Sequence, residues 1–287
     1  MNLLLLGNSG QLGWELQRTL QPLGVVGACD YPAFNLADSA TIQKTVRECR
    51  PDVIVNAAAY TAVDKAESEP ELAEAVNGTG PGVLAEEARK LNAVLIHYST
   101  DYVFDGTKSS AYDETDLPHP VNEYGKGKLA GEQAIQSAGG YYLIFRTAWL
   151  YSLRRDSFVS KVLRWAREDE IVRVVDDQVS NPTWARMLAE ITSQALAHGG
   201  EYICERAGLY HLSGSGFASR LEWAQMILEL DPNKQEQTVK EILPALTTDF
   251  PTLAQRPLFS ALECEKFAAT FGLRLPEWKT ALGLAIQ

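Results

Sequence analysis

A tyrosine and a lysine four residues apart are the clearest candidates for chemistry in the sequence. Tyr124 and Lys128 lie in a glycine-containing segment, and Thr100 precedes Tyr124 by 24 residues. On a helix these positions share a face, so the ammonium is expected to lower the phenol pKa from its free value of about 10. With Thr100 holding a carbonyl oxygen, the phenol can donate its proton there. The pattern predicts proton transfer to a ketone, although Tyr-x-x-x-Lys also occurs by chance in many helices.

A glycine-rich turn at the start of the chain supplies a second candidate site. An apolar run predicts a buried strand, and Gly7, Gly10 and Gly13 follow it before apolar residues at helical spacing. Such a turn delivers backbone N–H groups to a pyrophosphate at a helix N-terminus, whereas the simpler alternative is a plain glycine turn. Asp30 ends the next apolar run, where an acidic residue can bind ribose hydroxyls. Together these features predict dinucleotide binding.

The elements that must position these residues alternate between strand and helix. Apolar runs also precede Ala57, Thr100 and Trp149, with stretches rich in helix formers between them. Because ligands bind beyond the carboxyl ends of parallel strands, these three residues are expected in one crevice with the glycine turn and Asp30.

This alternation predicts an α/β fold, a Rossmann-type doubly wound parallel sheet with a smaller mixed α/β substrate lobe. Residues 1–149 are expected to form the NAD(P)-binding domain, with some later segments returning to it. Residues 150–287 are expected to form mainly the substrate-binding lobe.

Composition limits the classes of partner. The net charge of −11 disfavours nucleic acid and anionic membranes, so an anionic substrate must find a local cluster of Arg and Lys. No apolar run is long enough to span a bilayer, and no basic segment precedes the first strand, which argues against a signal peptide. Four widely spaced cysteines without a C-x-x-C pair are typical of reduced, mostly buried thiols. A cytoplasmic location is therefore expected.

Longer motifs resemble the dTDP-4-dehydrorhamnose reductase family of extended short-chain dehydrogenases/reductases. They are spread over nearly the whole chain and comprise residues 7–16, 50–59, 62–67, 99–104, 124–126, 145–147, 177–178, 182–183 and 256–257. Two positions depart from the family pattern: Ser180 stands where a glycine is common, and Phe259 stands where an asparagine is common.

The resemblance implies a reaction and a set of catalytic residues. Hydride is expected to pass from NADPH or NADH to C4 of dTDP-4-dehydro-6-deoxy-L-mannose, giving dTDP-L-rhamnose. Thr100, Tyr124 and Lys128 match the catalytic hydroxyl, proton donor and lysine of the family, and Lys128 would also hold the nicotinamide ribose.

The resemblance also implies binding residues. Asp101 and Trp149 match positions that face the sugar, with plain core packing as the alternative for Trp149. Arg256 is expected to meet the diphosphate, because a guanidinium pairs well with phosphate oxygens, with a surface arginine as the alternative. Together with Gly7, Gly13 and Ala57 of the predicted crevice, the cofactor positions are Gly10, Gln11, Leu12, Asp30, Ala59, Thr61, Tyr98, Tyr124 and Lys128.

Several alternatives stay open. Asp30 would repel a 2′-phosphate, which favours NADH, but the family also uses NADPH. Some members form homodimers through a divalent cation, here Mg²⁺, and Glu15 matches one acidic position, although a solvated surface glutamate is the simpler interpretation. No residue is assigned as a metal ligand. Other functions are a different sugar-nucleotide reductase or epimerase, or a non-catalytic regulatory subunit similar to that of methionine adenosyltransferase.

Overall fold

The computed structural model describes all residues from 1 to 287. Its strands are β1 (Asn2–Leu6), β2 (Val25–Cys29), β3 (Val53–Asn56), β4 (Val94–Thr100), β5 (Tyr141–Thr147), β6 (Leu150–Tyr151), β7 (Ile171–Val175), β8 (Val179–Ser180), β9 (Thr183–Trp184), β10 (Gly208–His211), β11 (Ala218–Ser219) and β12 (Glu241–Ala245). Its α-helices are α1 (Gln11–Thr19), α2 (Ser39–Cys49), α3 (Val63–Ala66), α4 (Pro70–Glu74), α5 (Gly80–Leu91), α6 (Glu123–Ala138), α7 (Phe158–Glu168), α8 (Ala185–Ala197), α9 (Gly200–Glu205), α10 (Arg220–Leu230), α11 (Glu265–Phe271) and α12 (Trp278–Ile286).

A six-stranded parallel sheet forms the centre of the fold. Its order is β10-β5-β4-β3-β1-β2. The chain passes from β1 to β2 at one edge, crosses back to β3 on the other side of β1, and continues through β4 and β5 to β10 at the opposite edge. Strands β1, β3 and β4 are almost wholly buried, as expected for parallel strands with helices on both faces. The predicted Rossmann-type architecture is confirmed.

Two apolar cores flank this sheet. On one side Leu16 of α1 packs in the same cluster as Leu188 of α8, and on the other Ile42 of α2 packs with Leu84 of α5. Both α8 and β10 follow residue 150, and they pack against and within the central sheet. The division into cofactor and substrate domains remains a prediction.

A third core belongs to the elements after β5. It gathers Tyr151, Val159, Val172 and Trp223 with residues of α12, and short strand pairs surround it. These pairs are β7 with β12 and β6 with β9, both parallel, and β8 with β11, antiparallel. This part places α7 and α10 opposite the carboxyl ends of the main sheet.

The predicted elements mostly agree with the structure, and the differences have local causes. Despite the glycines and proline at 78–82, the chain continues from α4 to α5 through a π-helical segment, Ala75–Thr79. Helix α10 begins at Arg220, since β11 pairs with β8 and Ser219 caps the helix in a capping box.

The cysteines and the helices bear on two further expectations. All four cysteines are free, but they are partly exposed or exposed rather than mostly buried. None of the helices combines the length and the apolar character needed to cross a bilayer.

Candidate active site

A cleft of about 1060 Å³ lies at the carboxyl ends of the central strands. It is lined by every residue predicted to act there except Gly13 and Arg256. The predicted residues in its lining are Gly7, Gly10, Gln11, Leu12, Asp30, Ala57, Ala59, Thr61, Tyr98, Thr100, Asp101, Tyr124, Lys128 and Trp149. Their assembly follows from the sheet, because each comes at or just after a strand end or from a helix that begins there.

The glycine turn is shaped by close backbone contacts. Gly7 has φ of 81°, and a Cβ there would overlap the backbone of Ala58. A Cβ on Gly13 would overlap the carbonyl oxygen of Gly7, which explains why Gly13 is needed although it does not line the cleft. No side chain caps α1 at Gly10, so the first N–H groups of the helix are available to an anion. This cradle fits the pyrophosphate of a dinucleotide.

Asp30 is held beside this turn at the end of β2. Its carboxylate accepts hydrogen bonds from the Ser9 backbone N–H (3.0 Å), from the Ser9 hydroxyl and from the Tyr31 N–H (2.8 Å). The side chain therefore joins the end of β2 to the glycine turn, at the position expected for the adenosine ribose.

The loop after β3 is fixed by the π-helical segment. The Asn77 side-chain oxygen accepts from the Tyr60 N–H and its amide donates to the Tyr60 carbonyl, both at 2.9 Å. This pair of hydrogen bonds positions Ala59 and Thr61 along the cleft. The sequence did not indicate it, because the two residues are 17 positions apart with no local motif between them.

Tyr124 stands in the first turn of α6. Asn122 caps this helix by accepting from the Gly125 N–H (2.8 Å) and donates to the Gln255 carbonyl (2.8 Å), so the helix start is tied to a distant loop. Burial raises the pKa of Tyr124, the hydrogen bond with Thr100 lowers it, and the charge of Asp101 raises it. The net direction is upward.

This direction corrects one expectation. Lys128 was predicted to lower the pKa of Tyr124, but it is not among the causes acting on that phenol. Lys128 is fully buried, and its Nζ donates instead to the Tyr98 carbonyl (2.6 Å) and to His97 Nε2 (3.2 Å). The phenol is protonated at neutral pH, as a free tyrosine is, and burial disfavours its ionisation further.

The lysine itself is strongly perturbed. Burial lowers the pKa of Lys128 to about 8, and Glu132 opposes that shift. His97, whose Nδ1 lies 3.0 Å from the Asn56 amide, has its pKa pushed well below the usual range by burial and then by Lys128. His97 thus stays neutral and can accept from the lysine, a positioning contact that the sequence did not reveal.

The side chain of Tyr98 also differs from a simple cofactor contact. Its hydroxyl pairs with Thr192 of α8 at 2.8 Å inside the core, so its carbonyl, bound by Lys128, is the polar group turned toward the site.

Asp101 is buried in a cluster of hydroxyls. Its Oδ2 accepts from Ser180 (3.0 Å) and Ser260 (2.5 Å), and its Oδ1 accepts from Thr100 (3.1 Å). Burial raises the pKa of Asp101 to about 6, and the three hydroxyl bonds oppose that shift. Ser180, which departs from the family glycine, therefore has a defined contact in this chain.

Comparisons with known proteins agree along the entire length. The family model described as the RmlD substrate binding domain matches residues 1–287. Curated dTDP-4-dehydrorhamnose reductases are similar to the chain: that of Burkholderia thailandensis is 43% identical over 296 residues, covering 100% of this chain and 98% of the relative. That of Salmonella typhimurium is 44% identical over 285 residues, covering 97% and 95%. The chain belongs to the dTDP-4-dehydrorhamnose reductase family.

Solved structures of dTDP-4-dehydrorhamnose reductases superpose closely on this member of the family. The Clostridium acetobutylicum protein has a TM-score of 0.92 at 34% identity, covering 100% of this chain and 98% of that one. The Bacillus anthracis protein, solved in complex with NADP, has a TM-score of 0.90 at 33% identity, covering 99% and 97%. A Thermus thermophilus UDP-glucose 4-epimerase, 20% identical with a TM-score of 0.81, shares the fold alone.

Two predicted residues, Arg256 and Trp149, have contacts that differ from those expected from the family resemblance. Arg256 does not line the cleft, because its Nη2 pairs with Asp64 Oδ2 at 2.8 Å and is thereby drawn aside. Trp149 does line it, but the guanidinium of Arg220 covers its ring at 3.7 Å from the centroid. The face expected to meet a deoxysugar is thus shared with a cation.

Sequence reasoning overlooked the basic residues of the substrate side. Arg155, Lys161 and Arg220 all line the cleft, although Lys161 pairs with Asp156 at 3.5 Å and Arg155 also lies beside the glycine turn. Arg220 had a local signal: it follows Ser219, whose capping box with Glu222 marks a helix start.

Proposed function

We propose that this protein reduces the C4 ketone of dTDP-4-dehydro-6-deoxy-L-mannose to the alcohol, giving dTDP-L-rhamnose. The observation that carries the proposal is the common cleft, in which the glycine turn, Thr100 and Tyr124 meet within a chain whose relatives bear the reductase name over their full length. Those names favour this activity over another sugar-nucleotide reaction and over a regulatory role.

The residues present fit a nicotinamide dinucleotide. The N–H groups at the start of α1 would hold its pyrophosphate, Asp30 its adenosine ribose, and Lys128 its nicotinamide ribose. When bound and reduced, the cofactor supplies the hydride. A structural relative binds NADP, whereas Asp30 argues against a 2′-phosphate, so the choice between NADPH and NADH stays a prediction.

The chain's own residues would handle the proton. The Tyr124 phenol is protonated at neutral pH and so carries a proton for the oxygen formed at C4, although its raised pKa makes it a weaker acid than a free tyrosine. Thr100 donates its hydroxyl proton to Asp101 and accepts from the Tyr102 N–H (3.1 Å each); to hold the ketone oxygen, its hydroxyl would turn that proton from Asp101 toward the substrate.

The contacts within one chain do not support the predicted Mg²⁺ or homodimer. The structure contains no group of three or more His, Cys, Asp or Glu side chains arranged to hold a metal ion. A dimer bridged by Mg²⁺ near Glu15 stays a prediction, as does the cytoplasmic location.

The test is a spectrophotometric assay of NADPH and NADH oxidation with the dTDP-linked keto sugar, beside a panel of UDP-linked 4-keto sugars. The wild type should turn over the dTDP-linked substrate. Tyr124→Phe should retain cofactor affinity and lose about 10² to 10⁴ in kcat. Turnover of UDP-linked sugars only would refute the proposed substrate, and unaltered kcat in Tyr124→Phe would refute the proton donor.

A further inference from the structure

A guanidinium without a carboxylate partner stands in the substrate side of the cleft. Arg220 is the first residue of α10 and lines the cleft, yet no aspartate or glutamate lies within ion-pair distance of it. In contrast, Arg256 is paired with Asp64, and Arg167 is paired with Asp231 at 3.0 Å. The charge of Asp101 acts on Arg220 only from beyond ion-pair distance, so a sheltered cation with no closer carboxylate is stabilised by a ligand that supplies negative charge.

Aromatic rings fix the plane of this guanidinium. Its Cζ lies 3.7 Å from the Trp149 ring centroid, 5.0 Å from that of Phe158 and 5.7 Å from that of Trp223. Stacking on an indole engages the face of the guanidinium but leaves the N–H donors at its edge free for a planar or tetrahedral oxyanion.

The backbone under the indole is also unusual. Trp149 has φ of 37°, in the left-handed region that a bulky side chain seldom adopts. The surrounding packing, with Trp223 stacked on Trp149 at 5.5 Å, holds the ring there. Strained residues held by their surroundings are concentrated at ligand sites.

Arg220 and the proposed proton donor share a neighbour in the cleft. Arg220 interacts electrostatically with Tyr102, whose ring packs edge-to-face on Tyr124 at 5.9 Å between centroids, and all three residues line the same cleft. In a 4-keto sugar nucleotide the ketone and the diphosphate are attached at opposite ends of the pyranose, at C4 and C1. A ketone at Tyr124 therefore requires a different residue of the same cleft for the diphosphate.

We propose that Arg220, stacked on Trp149, binds the diphosphate of the sugar nucleotide and thereby selects substrates that carry it. The assignment rests on the proposed function for the identity of the ligand. It gives Arg220 the contact that the sequence predicted for Arg256, whose guanidinium is already neutralised by Asp64.

Ligands without reactive groups test this assignment directly. Kd values for dTDP and for thymidine would be measured by calorimetry with the cofactor-loaded wild type, Arg220→Met and Arg220→Lys. Arg220→Met should weaken dTDP binding about ten- to a hundredfold and alter thymidine binding by less than about twofold. The dTDP affinity of Arg220→Lys should lie between those of the wild type and Arg220→Met, because lysine retains the charge but lacks the paired N–H donors of a guanidinium. With the keto sugar, KM should rise far more than kcat falls.

The chain offers a matched control. Arg186 lies in the first turn of α8, with its Cζ 5.9 Å from the Trp184 ring centroid, and pairs with Glu190 outside the cleft. Arg186→Met removes an arginine in a similar setting and should leave both Kd values unchanged. NADPH affinity and Tm identify any variant that has lost its fold.

Three results bear on the inference separately from the proposed function. Unchanged dTDP affinity in Arg220→Met, or equal losses for dTDP and thymidine, would overturn it. If Arg220→Met does not fold, an unaltered ratio of dTDP to thymidine affinity in Arg220→Lys overturns it equally. If dTDP binding depends on Arg220 but the wild type reduces no dTDP-linked keto sugar, the anion site stands and the proposed reaction fails.

Discussion

The two halves of the cleft are built by different means. On the cofactor side, the contacts come largely from backbone: the uncapped start of α1, the bend at Gly7 and the close approach at Gly13. On the substrate side they come from side chains of distant segments, with Trp149 stacked under Arg220.

The two halves should therefore differ in how readily amino-acid substitutions can change their contacts. A backbone cradle tolerates few replacements, because any added Cβ at its glycines meets main-chain atoms that cannot move aside cheaply. A site made of side chains can change its contacts through single substitutions; Ser180, for example, adds a hydroxyl that donates to Asp101. Substitutions of Lys128, Gly13 and Ser180 test whether the halves respond separately.

Lys128→Met is expected to have the largest effect, because Lys128 lies where the halves meet. Loss of the ammonium next to the proposed reaction centre should lower kcat by about 10² to 10³. Since burial lowers the pKa of Lys128 to about 8 in the folded state, the wild type should gain stability as pH rises from about 8 toward 10.5. Denaturant unfolding across that range should show the gain in the wild type and none in the variant.

At neutral pH the same variant removes a buried charge that is costly to desolvate. Its free energy of unfolding should therefore equal or exceed that of the wild type, apart from the two hydrogen bonds lost at Tyr98 and His97. A variant that is clearly less stable and equally active would show that Lys128 has only a structural role.

Gly13→Ala should affect the cofactor half alone. The new methyl group would overlap the Gly7 carbonyl, and relief of that overlap should displace the turn at a free-energy cost of about 1–3 kcal/mol. We expect the Kd for NADPH to rise about 5- to 150-fold, while the Kd for dTDP changes little. Gly283→Ala is the control, since a Cβ there meets nothing within 4 Å. Equal weakening of both ligands would contradict the separation of the halves.

Ser180→Ala should give the smallest effect and act on the substrate half. Burial raises the pKa of Asp101 to about 6 against the hydrogen bond from Ser180, so removal of that hydroxyl should raise it further. If substrate binding requires the ionised carboxylate, the acidic limb of kcat/KM moves to higher pH by less than about one unit.

The profile would be measured between about pH 5 and 8, with Ser213→Ala as a control, because Ser213 is buried but contacts Cys264 instead of Asp101. A shift to lower pH, or an equal shift in both variants, would contradict the role assigned to Ser180.

The sequence predicted the features that depend on local chain geometry. The glycine turn, the acidic end of β2 and the helix that carries Tyr124 each follow from neighbouring residues, and so does the alternation of the main strands with helices. The predictions were weakest where local and non-local effects compete: the spacing of Tyr124 and Lys128 was correct, but the direction of the phenol pKa was not.

Sequence by itself determined that this chain forms a parallel α/β sheet with a dinucleotide turn, because glycine placement and apolar periodicity act over a few residues. Tertiary structure alone decided the solvation and partners of the site residues. It turned the ammonium of Lys128 toward Tyr98 and His97, paired Arg256 with Asp64, and left Arg220 unpaired on Trp149. Burial and charge pairing depend on which distant segments meet, and no short stretch of sequence specifies that.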